Sequence, residues 1–185
     1  MSQPANASGH LRAGLLAAFE LARGRRDGME AMPADPRAAA LSFWALPVCL
    51  PAFFALRLAA TNAPGTADPA VHAMLGAMLL FVIGWTGFAL LSHRIAAVLD
   101  RSSLWPRYIV AWNWCNAVQY GLFLAAAVPG LLGLPGWVDQ TLGLIALFWA
   151  LWLEWYVARL ALQIGVLPAI LLVVVDVVIG LLLAG

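Results

Sequence analysis

A chain of 185 residues, of which 64% are hydrophobic and only 10% charged, is too apolar for a soluble globular domain and indicates a membrane protein. Its ten basic and nine acidic residues nearly cancel, so the charge gives no argument for a nucleic-acid partner. All ten basic residues are arginine, which excludes a Schiff-base lysine and the lysine of a phosphate-binding loop.

Residues 1–39 are expected to form a cytoplasmic N-terminal segment with one amphipathic helix at 11–22. At about 100° per residue, one face of that helix carries Leu11, Leu15, Ala18, Phe19 and Ala22. Such a helix either lies flat on the membrane, where neighbouring arginines meet anionic lipid, or docks on the rest of the protein. The sequence favours neither position over the other.

Residues 40–185 predict an all-α, polytopic transmembrane bundle of about five helices, because each bilayer crossing takes about 20 apolar residues. The expected spans are 40–60, 70–92, 108–128, 138–162 and 166–184. Pro47 and Pro51 lack backbone donors, and we expect them to kink the first span. In the second span, Gly84 and Gly87 favour close approach by another helix.

The positions of the arginines predict the orientation of the chain. With a cytoplasmic N-terminus, every arginine except Arg57 lies at or near the cytoplasmic face, as the positive-inside rule requires. The abundance of Ala, Leu and Gly, together with the absence of Lys, is typical of a GC-rich bacterial genome. We therefore expect a bacterial inner-membrane protein with its N-terminus in the cytoplasm and its C-terminus in the periplasm.

Polar and charged residues inside the last three expected spans predict an intramembrane polar network. Its members are Asn113, Asn116, Gln119, Glu154, Arg159 and Asp176. Small residues share the helical faces of Glu154 and Asp176, so both carboxyl groups should point into the bundle. From their expected depths, we predict that Glu154 lies against Asn113 and Asn116.

The other members of this network have different predicted positions. Asp176 is expected against Gln119 or a reaching Arg57. Arg159 follows Glu154 by five residues, or about 140° around the helix, so the two should not pair. We expect Arg159 to extend to the cytoplasmic interface along neighbouring tryptophan rings.

Two roles are compatible with inward-facing polar groups in a membrane. A sparse polar ladder can set the register of helices, which favours a non-catalytic protein that acts by helix association, as a scaffold or a subunit of a membrane assembly. The alternative is a small solute or proton-linked transporter that uses Asp176 and Glu154. The expected partners are the lipid bilayer and either a second copy of the chain or another membrane protein.

Nothing in the sequence indicates catalysis. It lacks the nucleophile elbow, the zinc-protease helix and the Gly-rich dinucleotide turn. Cys49 and Cys115 stand alone in apolar segments, where a small buried side chain explains them better than redox or metal chemistry. His72 and His93 are expected at opposite faces of the membrane. We therefore expect no enzyme activity, cofactor or metal site.

Two segments carry a resemblance to known proteins. RYIVAWNWCNAVQ at 107–119 and EWYVARLALQIGVLPAILLVVVDVVIG at 154–180 resemble a group of small, uncharacterised bacterial inner-membrane proteins. The layout, with a cytoplasmic amphipathic start followed by five spans, is similar to that of the Yip family. The resemblance implies a helical integral membrane protein that organises membranes or partner proteins, and it assigns no site residues.

Overall fold

The computed structural model describes residues 7–61 and 71–184, and all of the regular structure in these two ranges is helical. The helices are α1 (Ala7–Ala22), α2 (Asp27–Glu30), α3 (Pro36–Ser42), α4 (Ala45–Thr61), α5 (Val71–Val98), α6 (Trp105–Leu131), α7 (Gly136–Leu162) and α8 (Val166–Ala184), with a 3-10 turn at Ser102–Leu104. The predicted all-α fold is confirmed for these residues. The start of the N-terminal segment and of the second predicted span lie outside them.

Within residues 7–61 and 71–184, four segments are long and apolar enough to cross a membrane. They are Pro36–Ala60, Val71–Val98, Gly136–Leu162 and Val166–Leu183. α6 matches α7 in length, but Asn113, Asn116 and Gln119 make it more polar. These three side chains are buried, because other helices cover the face that carries them.

α6 is the central element of the bundle. It packs against α7 on one side and against α4 on the other, and α1 and α3 cover its first turns. α8 lies against both α5 and α7. The most enclosed side chains, among them Tyr108 and Ile109 of α6 and Leu162 of α7, lie where α6 begins and α7 ends. The tightest packing is therefore at the end of the bundle that the arginines predict to be cytoplasmic.

α1 docks on the bundle through its small residues. Gly14 lies so close to Trp114 of α6 that a Cβ atom there would be 2.5 Å from the indole nitrogen. Ala17 and Ala18 are buried on the same face. Small side chains allow this contact because they let the helix axis approach a bulky indole.

The stripe predicted for this helix is only partly the face that docks. Ala18 and Ala22 are buried, but Leu15 is 36% exposed and Phe19 is 48% exposed. The larger apolar residues therefore lie on the outer surface of α1. Apolar periodicity alone does not identify the docking face, because it weights large apolar side chains above small ones.

A glycine ends α1 and connects it to the bundle. Gly24 adopts a φ of +76°, which other residues rarely tolerate, and the Arg25 N–H donates to the Glu20 carbonyl at 3.0 Å. The Tyr156 hydroxyl on α7 donates to the Gly24 carbonyl at 2.7 Å. The N-terminal segment is thus attached to both α6 and α7.

The first predicted span changes its helical hydrogen bonding at a turn just before its prolines. α3 ends at Ser42 and α4 begins at Ala45, with a turn at Phe43 and Trp44. In a continuous helix, the ring of Pro47 would clash with the carbonyl of Phe43. The chain therefore turns before Pro47, which lies in the first turn of α4, where a missing backbone donor is tolerated, while Pro51 lies in the helix interior.

Candidate functional site

Two carboxyl groups meet between the last two helices. The carboxyl groups of Glu154 on α7 and Asp176 on α8 lie close enough to interact, and both residues are partly buried. Their helices are joined by a short turn in which Gln163 is left-handed, with a φ of 52°. An ionised carboxylate is only an acceptor, so a hydrogen bond between these two groups needs one proton between them.

Gln119 of α6 is the neutral partner of this pair. Its Nε2 donates to the Glu154 Oε1 at 3.5 Å and to the Ala150 carbonyl at 3.2 Å. The sequence had placed Asn113 and Asn116 against Glu154 instead. The register between α6 and α7 brings Gln119 to that level, and depth counted along separate spans does not reveal this register.

Asn113 belongs to a second polar cluster. The Trp85 Nε1 donates to the Asn113 Oδ1 at 2.7 Å, and the Asn113 Nδ2 donates to the Ser42 Oγ at 2.7 Å. All three side chains are buried. This cluster joins α5, α6 and α3, and its geometry is that of a structural connection.

The last two predicted members lie apart from both clusters. The Asn116 Nδ2 donates to the Trp112 carbonyl of its own helix at 2.9 Å. Arg159 is exposed, and its guanidinium lies 5.0 Å from the centroid of the Trp155 ring. The predicted network therefore separates into an acidic pair with Gln119, a structural cluster around Asn113, and two polar residues, Asn116 and Arg159, that bond to neither.

A cavity of about 300 Å³ is lined by Asp176 but not by Glu154. It lies between α4, α5, α6 and α8, and Asn116 contributes to its wall. Five aromatic side chains contribute to the wall: Phe53, Phe81, Trp85, Trp112 and Tyr120. Asp176 thus lies next to both a space large enough for a small molecule and the carboxyl group of Glu154.

Arg57 of α4 brings a positive charge to the same cavity. Its guanidinium lies 5.7 Å from the centroid of the Phe53 ring. The ion pairs within residues 7–61 and 71–184 are both on Glu20 of α1, so Arg57 and Asp176 do not form one. Tyr120 lies within electrostatic range of both charges. The cavity therefore contains a guanidinium and a carboxyl group that do not neutralise each other by contact.

The indole of Trp112 adds an unused donor to the wall. Trp112 is 4% exposed, and its N–H approaches the Asp176 carboxyl without forming a hydrogen bond of standard geometry. A buried donor without an acceptor costs about 1–3 kcal/mol. Buried donors of this kind usually have a hydrogen-bond partner, either a protein group or an ordered water.

The chemistry available here is proton exchange between carboxyl groups and binding of charged groups. In the described part of the chain, no three His, Cys, Asp or Glu side chains come together to hold a metal ion. Sequence reasoning selected both carboxyl groups and Gln119, but it missed the cavity, whose lining comes from four helices that no local pattern relates. No protein-family model, curated protein sequence or solved structure matches this chain.

Proposed function

We propose that the chain is a bacterial inner-membrane protein that crosses the bilayer five times, through the four apolar segments given above and through α6. A helix of 27 residues is about 40 Å long, which is enough to cross a bilayer. Its polar side chains are covered by protein, so lipid would not have to solvate them. The distribution of arginines supports a cytoplasmic N-terminus and a periplasmic C-terminus.

In this arrangement α1 lies at the cytoplasmic surface of the membrane. Its inner face docks on α6, while Leu15, Leu16 and Phe19 are exposed on its outer face. Arg23 lies 4.3 Å from the centroid of the Phe19 ring, so a cation borders this apolar surface. An apolar strip edged by arginine suits the boundary between acyl chains and anionic headgroups.

The function we propose is transport of a small solute linked to protons. The observation that supports it is that Asp176 lines the cavity and that the carboxyl group of Glu154 lies beside Asp176. Carboxyl groups inside a membrane bundle are costly, and transporters use them as proton relays. Asp176 would exchange a proton with the cavity and pass it to the Glu154 oxygen, while the Gln119 amide orients Glu154.

The competing proposal is a scaffold or assembly subunit that acts by helix association. It predicts a partner at fixed stoichiometry and gives the cavity and the carboxyl pair only structural roles. Extraction in mild detergent followed by size measurement tests it directly. A stable complex together with the absence of flux would favour association over transport.

Transport is tested with purified protein in liposomes that contain a pH-sensitive dye. With a more acidic outside, the small-molecule fraction of a bacterial extract should acidify the interior of liposomes that contain the protein. Asp176→Asn and Glu154→Gln should each reduce this solute-dependent rate at least about tenfold, because an amide cannot release a proton.

The control for these variants is Asp100→Asn. Asp100 is exposed after α5 and has a φ of 56°, a conformation that Asn also tolerates, so the wild-type rate is expected. Folding of each variant is checked by size-exclusion elution and helical circular dichroism. Solute-dependent acidification that persists in a folded Asp176→Asn protein, or is absent from the folded wild type, would contradict transport.

A further inference from the structure

We propose that the cavity binds a small zwitterion whose ammonium group contacts Asp176 and whose carboxylate contacts Arg57, that is, an amino-acid-like solute with an apolar side group. This inference rests on the proposed transport function and names its class of substrate. It comes from the guanidinium and the carboxyl group that line one cavity and from the aromatic side chains that line it with them.

The charges are the first argument. Arg57 and Asp176 line one space without an ion pair between them, so each remains available to a ligand. The guanidinium of arginine is permanently charged and matches a carboxylate with two parallel hydrogen bonds. A ligand with only one charge would leave the other wall charge without a partner, which is costly in a site of low polarity.

The polar atoms around Asp176 suit an ammonium group. The Asn116 Nδ2 is already bound to the Trp112 carbonyl, so the Asn116 side-chain oxygen is the free acceptor of that amide. The faces of Trp85 and Trp112 line the same space and attract cations. An ammonium has three donors, and Asp176 and Asn116 offer it acceptors on the same wall.

The rest of the wall suits an apolar body. Phe53 and Phe81 stack with their ring centroids 4.6 Å apart, and both line the cavity. The volume, about 300 Å³, is at the lower end of small-molecule sites and is too small for a long peptide. An amino acid with an aliphatic or aromatic side group fits all three parts of the wall.

Binding of such a ligand would also change the position of the proton that Asp176 and Glu154 share. An ammonium against Asp176 competes with the proton that this carboxyl shares with Glu154, so the proton stays on Glu154 while the solute is bound. Release of the solute would return the shared arrangement. No other reactant is needed, because the pair keeps its one proton: the proton lies on Glu154 while the ammonium is bound and is shared again when the ammonium leaves.

The experiment measures binding of tritiated L-phenylalanine and L-leucine to the purified wild-type protein in detergent. Two analogues compete for the phenylalanine site: phenethylamine, which lacks the carboxylate, and 3-phenylpropanoate, which lacks the ammonium. We expect each analogue to compete at least about tenfold more weakly than phenylalanine, equivalent to about 1.4 kcal/mol. In Arg57→Gln, the advantage of phenylalanine over phenethylamine should disappear.

The matched control is Arg37→Gln, an exposed arginine of α3 that does not line the cavity and should bind like the wild type. The proposal of a zwitterionic ligand would be overturned by analogues that compete as well as phenylalanine, or by a wild type that binds neither amino acid. If the extract still drives acidification in that case, only the substrate class fails. If it does not, the transport function fails with it.

Discussion

The amide of Asn113 connects three helices, so its replacement provides a quantitative test of the packing. In Asn113→Leu, the bonds to the Trp85 Nε1 and the Ser42 Oγ are both lost. Hydrogen bonds between membrane helices average about 0.6 kcal/mol, so the two together contribute about 1 kcal/mol. The Trp85 N–H would then remain buried without an acceptor, which costs about a further 1–3 kcal/mol. We expect the free energy of unfolding to fall by about 2–4 kcal/mol.

A double-variant cycle separates the bond from the packing. Trp85→Phe removes the donor, so adding it to Asn113→Leu should cost about 1–2 kcal/mol less than the sum of the two single changes. The assay is reversible unfolding in mixed micelles with increasing SDS, followed by circular dichroism. Asn116→Leu is the control, because its amide binds only within α6 and should not couple to Trp85. If the changes in the free energy of unfolding for Asn113→Leu and Trp85→Phe simply add, the proposed stabilising hydrogen bond between Trp85 and Asn113 is refuted.

Two substitutions of glycine test close helix contacts. Gly14→Leu should displace α1 from Trp114 and raise the rate of trypsin cleavage in the N-terminal segment at least about fivefold. Gly9→Leu is the control and should leave the rate unchanged, because a Cβ atom at Gly9 meets nothing within 4 Å. Equal cleavage of the two variants would contradict the docking of α1 on Trp114. Gly84→Leu should overfill the contact with α8 and the cavity, lowering stability by about 1–3 kcal/mol and abolishing solute-dependent proton uptake, while Gly87→Leu leaves both unchanged. Wild-type uptake in a stable Gly84→Leu protein would contradict the cavity as the binding site.

The inward direction of the two carboxyl groups followed from local sequence. Glu154 and Asp176 each share a helical face with small residues, and in the structure the two carboxyl groups lie close enough to interact. Helical period and residue size were sufficient for this, because a small-residue face is where another helix can approach. Their contact partners were not predictable in the same way. Gln119 reaches Glu154 only because of the register between α6 and α7, which depends on the whole interface.

The remaining differences also have physical causes. The turn at Phe43 was not predicted, and it arises because Pro47 acts on the carbonyl four residues before it. The docking face of α1 is centred on Gly14 and not on Leu15, since closeness to an indole matters more there than apolar area. The cavity depends on how far α4 stands from α8. A sequence pattern describes each helix alone and does not contain that distance.

The left-handed turn at Gln163 has a consequence for biogenesis. It makes α7 and α8 a helical hairpin, so Glu154 and Asp176 can meet as soon as that hairpin forms. Contacts between segments near in sequence need little loop closure and form early. The costliest groups in this protein would then enter the bilayer already shielding each other, before Gln119 or the cavity wall has assembled around them.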